Sequence, residues 1–389
     1  MTPVTNWREP PARVLVIGTG LLGTSVGLAL TAAGAGVWLS DPDAQAVDVA
    51  VAMGAGQPAD AADGPPDLVV VAVPPSVTAR VVAEALHMYP DATVTDVASV
   101  KAPIIAGLRD VGADLSRFVG GHPMAGREVH GPRAGRADLF DGRPWILTPD
   151  AAADPERVQV VAGMVAATGA VMRVLPPEVH DHAVALTSHT PQLVASLMAA
   201  RLAGADDALV SVSGQGLRDV VRIAASDPGL WSDILITNAA AVVPVLQELQ
   251  QDLSGVTAAL SQALPTGKPS ADDWSPADSP TQPPGPGPER GGGVVAAVLT
   301  RGNTGAGRLP AKHGGEATDY VTVPVVVADE PGSLGRLFLA AGGAGINLED
   351  VRIEHTVGRL TAIAHLSVLP GAGTELRSAL ERGGWRVTG

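Results

Sequence analysis

The sequence predicts an α/β fold in three parts: a doubly wound parallel sheet, then an all-helical domain, then a small βαββαβ domain. Three observations predict it. From Arg13 to Thr148, short uncharged runs rich in β-branched residues alternate with helical stretches. After Pro149 those runs stop, and helical segments rich in Ala, Leu and Val follow. From Tyr320 the alternation returns.

The first set of runs is Val14 to Ile17, Val37 to Leu39, Leu68 to Val73, Thr93 to Thr95, Phe118-Val119 and Trp145 to Leu147. Uncharged runs of this kind suit parallel strands covered on both faces by crossover helices. Residues 154–168, 178–203, 205–225 and 229–262 read as helices. Residues 264–318 carry eight Pro from Pro265 to Pro288 among Gly, Ser and Asp, the composition of a flexible linker. Within it Val294 to Leu299 reads either as a short strand or as an apolar spot in the linker. The last domain reads as strands at 321–327, 349–356, 360–368 and 385–388, with helices at 332–342 and 372–382. That order is ferredoxin-like. The expected divisions are therefore 12–150, 151–263, 264–318 and 319–389.

Composition narrows the function. With 389 residues, 46% hydrophobic and 17% charged, most of the chain can bury a core, and one domain is too few. The net charge of -14, without basic clusters interleaved with aromatics, argues against nucleic acid as a partner. Cys 0 removes disulfides, thiolate metal sites and a cysteine nucleophile, and suits a reducing cytoplasm. Met1 to Pro11 has no apolar signal region, and no window reaches the roughly 18 apolar residues of a membrane span. A cytoplasmic protein without membrane partners is expected.

Gly18-Thr19-Gly20-Leu21-Leu22-Gly23 follows the first strand and opens a helix at about Leu21. Alone, G-x-G-x-x-G also occurs as a turn that only packs a helix on a sheet. In this context Gly18 permits the tight turn, Gly20 admits a pyrophosphate, and Gly23 lets helix and strand approach. The anion then sits at the helix N-terminus beside Leu21 and Leu22. Asp41 ends the second strand, about 20 residues on, where a carboxylate binds a ribose 2′-hydroxyl and repels a 2′-phosphate. This is a Rossmann-type site with NAD as the expected cofactor. Val73-Pro74 and Ser99 end later strands on the same carboxyl edge and are expected beside it.

His122, in Gly120-Gly121-His122-Pro123-Met124-Ala125-Gly126, follows the strand at 117–119. A lone histidine is commonly a structural hydrogen bonder. On a glycine-rich loop at the cofactor edge it can also take a hydroxyl proton while hydride leaves the same carbon. His180, His182 and His189 lack the spacing of a zinc helix motif, so no metal is expected. His180 and Asp181 read as anchors for the start of a long helix. Trp231 and the apolar helix stripes read as core, or as the core of a dimer.

Over about residues 12–262 the chain resembles the prephenate and arogenate dehydrogenases of tyrosine biosynthesis. The motifs that carry this are the Gly18 fingerprint, Asp-Val-Ala-Ser-Val-Lys at 96–101, His-Pro-Met-Ala-Gly at His122, His180-Asp181, and Ser188-His189. Arg218-Asp219 through Arg222-Ile223-Ala224 to Asp227-Pro228 and Trp231 completes the series. The resemblance implies oxidative decarboxylation of prephenate to 4-hydroxyphenylpyruvate, or of arogenate to tyrosine, by an enzyme using NAD, and the charge-poor helical domain adds the expectation of a homodimer. It implies His122 as base on the ring hydroxyl, Ser99 holding that hydroxyl or the histidine, and Arg222 pairing with a substrate carboxylate. From its position alone, without the resemblance, Arg222 reads as an exposed helix charge. His189, Gln192 and Glu128 are implied on the substrate side. Two departures stand out: Gln192 replaces a histidine in Ser-His-Leu-Pro-His, and Arg127 and His130 flank Glu128 where Thr-Glu-Lys-Ser-Gly is usual. Gln192 bears on the choice between a keto-acid and an amino-acid side chain.

Asp329-Glu330-Pro331-Gly332-Ser333-Leu334 and Gly345-Ile346-Asn347-Leu348 resemble the ACT amino-acid-binding regulatory domains over about residues 320–389. That resemblance implies an effector, tyrosine, at Asp329, Pro331, Gly332, Ser333, Leu334 and Asn347. The same module also serves dimerisation alone. A chain that senses nicotinamide without catalysis is the remaining alternative.

Overall fold

The computed structural model describes residues 11–126, 129–264, 292–309, 320–355 and 360–388. The chain divides into two compact units, Met1–Gln250 and Gln251–Gly389.

The first unit is built on an eight-stranded sheet. Its strands are β1 (Arg13–Ile17), β2 (Gly36–Ser40), β3 (Gln57–Pro58), β4 (Leu68–Val71), β5 (Thr93–Asp96), β6 (Phe118–Pro123), β7 (Pro144–Pro149) and β8 (Val171–Val174). The spatial order is β3-β2-β1-β4-β5-β6-β7-β8. Its first six strands follow the 3-2-1-4-5-6 order of dinucleotide-binding sheets, whose switch point lies between β1 and β4. Alternate residues feed opposite faces. Val14, Val16, Leu68 and Val70 enter one core with Val26 and Leu30. Leu15, Val69 and Val71 enter the other with Val82, Ile104 and Leu108. Both faces are thus covered, which is why the strands read as unbroken apolar runs.

Three expectations change here. The run at 145–147 is not parallel to its neighbour: β7 pairs antiparallel with β6. Strands do not end at Pro149, because β8 pairs parallel with β7. The helix Pro155–Ala167, read as the first of the helical domain, buries Val161, Ala162, Met164 and Val165 in the core of the sheet, so the sheet layer continues past the expected division at 150.

The long helices expected beyond are also subdivided. The segment at 178–203 becomes Pro177–Val184 and Thr190–Ala200, joined by a wide π turn at Ala185–His189. That at 205–225 becomes Asp207–Ser211, Gln215–Val221 and a 3-10 turn at Arg222–Ala224. That at 229–262 becomes Pro228–Thr237 and Ala239–Gln262, meeting at Asn238 with a bend of 94°. This bent pair has the length and apolarity of a broken membrane span, whereas no single helix among the described residues does.

In the second unit, Gly292–Ala306 is helical, which corrects the reading of Val294 to Leu299 as strand or linker. The strands β9 (Val321–Ala328), β10 (Asp350–His355), β11 (Thr361–Val368) and β12 (Arg386–Val387) form an antiparallel sheet in the order β10-β11-β9-β12. This is the ferredoxin-like arrangement. Val323, Val325 and Val327 alternate inward from β9 and meet Leu337 and Leu376 of the helices Ser333–Gly343 and Gly373–Arg382.

Candidate functional site

The turn after β1 is shaped by two glycines and leaves the third open. Gly18 has φ +102°, and a Cβ there would lie 2.3 Å from the Ala72 carbonyl oxygen. A Cβ on Gly23 would come within 1.8 Å of the Gly18 oxygen. Around Gly20, by contrast, nothing lies within 4 Å of the Cβ position. The helix Leu21–Ala32 starts there without a side-chain cap. Its first amides are thus available to an anion. Asp41 follows β2 and accepts the backbone N–H groups of Thr19 (2.7 Å) and Asp43 (2.9 Å), so its carboxylate is held against the same turn. Val73 and Pro74 follow β4 on the other side of the switch point and lead into the helix Pro75–Met88. Thr19 Oγ1 and Ser99 Oγ are buried without a hydrogen-bond partner. Buried hydroxyls ordinarily find one. Two orphaned hydroxyls, one on the glycine turn and one just beyond β5, fit a polar ligand such as NAD at this edge.

His122 lies on a strand rather than a loop, which corrects the expectation. β6 runs to Pro123, and His122 opposes Ile146 of β7. A strand holds a side chain more rigidly than a glycine loop does. The backbone around it is fixed from below by Asp96 and Lys101, both fully buried. Asp96 ends β5 and accepts the N–H groups of Ala98 (3.0 Å) and Gly121 (3.2 Å). Lys101 Nζ forms an ion pair with Asp96 and donates to the Gly121 carbonyl at 2.7 Å. Both peptide groups of Gly121, the residue before His122, are thereby tied to this pair. Gly121 has to be glycine, since a Cβ would sit 2.6 Å from the Asp96 carbonyl oxygen.

A second chain of bonds reaches His122 from the helical part of the same unit. His122 Nδ1 lies 2.8 Å from His180 Nε2, and His180 Nδ1 lies 2.8 Å from Asp181 Oδ1. Asp181 accepts the backbone N–H groups of Lys101 and Ala102, each at 2.8 Å. Asn238, at the bend between two helices, donates to the Asp181 carbonyl oxygen and to His189 Nδ1, both at 3.0 Å. His189 also stacks edge-on against Trp231. Burial, then the neighbouring His180, Lys101 and His189, push the His122 pKa well below its ordinary value. Burial likewise lowers His189 to about 4, with His180 adding to the shift and Asp181 opposing it.

The remaining expected residues are distributed as follows. Gln192 is buried, and its Nε2 donates to the Ile223 carbonyl at 2.8 Å, pinning the helix Thr190–Ala200 to the turn that carries Arg222. Arg222 is exposed on that turn. Glu128 and its neighbour Arg127 lie outside the described residues. In the second unit Gly332 takes a left-handed conformation (φ +83°) ahead of the helix Ser333–Gly343. Asp329, Pro331 and Asn347 are exposed and Leu334 is half-buried. Ser333 Oγ accepts from Arg336, and Asn347 donates to Glu349 at 2.8 Å.

Sequence reasoning singled out His122, Ser99 and the glycine turn, but it gave His180 and Asp181 only the task of anchoring a helix and missed Asn238. The Asp96 to Lys101 motif was the available signal for the ion pair. Nothing local marks Asn238, which is an ordinary polar residue inside a helical pattern.

Comparison with known proteins adds to this geometry. Residues 26–174 match the profile of the prephenate dehydrogenase nucleotide-binding domain, and residues 176–265 that of the prephenate dehydrogenase dimerization domain. A probable prephenate dehydrogenase of Streptomyces niveus, NovF, is 36% identical over 376 residues, 95% of this chain and 98% of the relative. Among solved structures, the A. aeolicus prephenate dehydrogenase in complex with hydroxyphenyl propionate and NAD+ is similar, with a TM-score of 0.58 and 29% identity over 67% of this chain and 92% of that one. Synechocystis arogenate dehydrogenase is similar too, with a TM-score of 0.54 and 25% identity over 64% and 91%.

Proposed function

The chain belongs to the prephenate dehydrogenase family, and from that premise we propose how its residues carry out an NAD-dependent oxidative decarboxylation of prephenate. The observation that carries the reading is the buried imidazole of His122 on β6, at the same sheet edge as the open Gly20 turn and the unpartnered Ser99 hydroxyl.

The glycine turn, with Gly18, Gly20, Leu21, Leu22 and Gly23, receives the pyrophosphate, and Asp41 the ribose, with Val73 and Pro74 on the opposite wall. Bound NAD supplies the hydride acceptor. Ser99 donates to, or accepts from, the ring 4-hydroxyl of substrate and orients it. His122, kept neutral by burial, accepts the hydroxyl proton as hydride departs from the same carbon. The ring carboxylate then leaves as carbon dioxide, its electron pair aromatises the ring, and His122 returns the proton to the phenolate oxygen. No proton is released overall, so the histidine only holds it while charge moves across the ring. Arg222 pairs with a substrate carboxylate, which its planar fork can grip bidentately. His189, Gln192 and Glu128 are assigned to the substrate side. Loss of carbon dioxide makes the step one-way.

Absorbance of reduced nicotinamide, followed with prephenate, arogenate or neither, tests this. Turnover with prephenate is expected, and a flat trace with both substrates would remove the assignment. Arogenate is the second reading, because Gln192 stands where the family motif has a histidine beside the keto-acid or amino-acid side chain, and the same assay ranks the two substrates.

We further infer a dimer, supported by the dimerization-domain match and by apolar side chains that remain exposed on the bent helix pair, Ile236 among them. Light scattering of the purified chain checks it. For the ferredoxin-like unit we infer tyrosine binding at the Gly332 turn, with Asp329, Pro331, Ser333, Leu334 and Asn347 around it, and a lowering of activity as its consequence. Asn347→Ala is expected to relieve inhibition by tyrosine. Inhibition that is unchanged in this variant and competitive with prephenate would assign tyrosine to the His122 site instead.

A further inference from the structure

We propose that His180 is a positioning residue that fixes the ring tautomer of His122 and thereby directs its basic nitrogen to the substrate. The inference rests on the reading of His122 as the base. It follows from counting donors along one chain of bonds. Asp181 is an acceptor: Oδ1 takes the Lys101 N–H and Oδ2 the Ala102 N–H, each at 2.8 Å. The carboxylate therefore has no proton to give to His180 Nδ1, 2.8 Å from Oδ1, and that nitrogen has to be the donor. A neutral imidazole that is protonated at Nδ1 offers only a lone pair at Nε2. His180 Nε2 faces His122 Nδ1 at 2.8 Å, so the proton in that bond sits on His122 Nδ1. His122 Nε2 is left with the lone pair. One buried carboxylate thus decides, through two rings, which nitrogen of the base can accept a proton.

The arrangement is rigid at each link. His180 and Asp181 are 1% and 3% exposed, so water does not compete for either bond. Asp181 is anchored to the backbone at the start of the helix Ala102–Asp110 and through its own carbonyl to Asn238. The rings of His122 and His180 meet edge-on, with centroids 5.0 Å apart. When His122 takes up the hydroxyl proton at Nε2, its Nδ1–H still points at the His180 lone pair, so the imidazolium forms without any rearrangement. This is the logic by which a carboxylate orients a catalytic histidine, extended by one ring.

The test uses the full chain with 15N-labelled histidine, His122 being assigned by comparison with His122→Asn. In the native protein, nitrogen chemical shifts and couplings are expected to show His122 protonated at Nδ1 and bare at Nε2. Protonation at Nε2 overturns the proposal, and this measurement needs no substitution at His180. His180→Leu removes the acceptor: kcat is expected to fall about 10- to 100-fold with NAD affinity unchanged, and His122 to gain the Nε2–H form. His180→Gln, whose Oε1 can accept the Nδ1–H, is expected to recover a large part of that loss. If His180→Leu turns over like the native protein while His122→Asn is inactive, the tautomer role is lost and the base assignment stands. If His122→Asn also turns over normally, it is the base assignment that fails.

Discussion

Lys101 and Asp96 form an ion pair in which neither side chain reaches solvent, one at the end of β5 and the other at the start of the next helix. Burial raises the Asp96 pKa, against the attraction of Lys101 and the N–H bonds of Ala98 and Gly121, and burial lowers that of Lys101. Removing one partner from such a pair strands the other in an apolar interior. Lys101→Met is therefore expected to lower unfolding stability by about 3–5 kcal/mol, and Lys101→Met with Asp96→Asn to lower it by less than Lys101→Met alone. Urea titrations of the three proteins decide this. Equal losses in single and double variants would mean that the pair acts through packing rather than charge.

Gly20 and Gly23 separate ligand approach from fold. The Cβ position of Gly20 is open, so Gly20→Ala is expected to melt within a few degrees of the native protein while NAD binding weakens about tenfold. At Gly23 a Cβ would overlap the Gly18 carbonyl, so Gly23→Ala is expected to lose the fold before it loses the cofactor. Melting temperature and NAD titration by fluorescence check both. Native NAD affinity in Gly20→Ala would move the pyrophosphate elsewhere.

Stability in acid depends on the buried imidazoles. His189 sits at about 4 in the folded protein and His122 well below 6.5, so in the interval below 6.5 the unfolded chain binds protons that the folded chain does not. Stability is then full above 6.5 and declines as pH falls, for His189 between 6.5 and about 4. A shift of that size corresponds to about 3 kcal/mol. His189→Gln is expected to flatten the dependence of unfolding free energy on pH in this interval. A profile as steep as that of the native protein would assign the acid sensitivity to other groups. The same lowering of His122 keeps the base neutral, and turnover is expected to persist below pH 6.5 as far as the fold does.

The glycine turn and six of the eight strands of the first sheet, all but β3 and β8, were legible because their signals are local: a fixed spacing, and runs whose period matches burial on both faces. Strand direction was not, since Trp145-Ile146-Leu147 reads alike in a parallel or antiparallel pair. β8 escaped notice because an edge strand is half solvated and carries Arg173 among its four residues. An apolar run as short as Val294 to Leu299 does not distinguish helix from strand. At the site, His122 stood out by its motif, but its bond to His180 joins residues 58 apart, and the Asn238 contacts with Asp181 and His189 span 57 and 49. Pairings at such separations leave no periodic mark on the chain and come only with the tertiary fold.

Gln192 and Arg222 give the last prediction. The Gln192 amide donates to the Ile223 carbonyl, so the helix that follows the π turn holds the turn on which Arg222 stands. If Arg222 pairs with a substrate carboxylate, Arg222→Ala loses charge-assisted bonds of about 1.5–3 kcal/mol and raises the KM for prephenate by roughly 10- to 100-fold, with NAD affinity unchanged. Arg222→Lys recovers only part of this, because a point charge does not reproduce the fork. Gln192→Ala leaves the guanidinium in place but frees its turn, and is expected to raise KM in the same direction by a smaller factor. Combined with Arg222→Ala it should add little, since both changes act on one contact. Steady-state kinetics on the four proteins measure this coupling. Fully additive effects on KM would mean that Gln192 and Arg222 serve separate parts of the substrate.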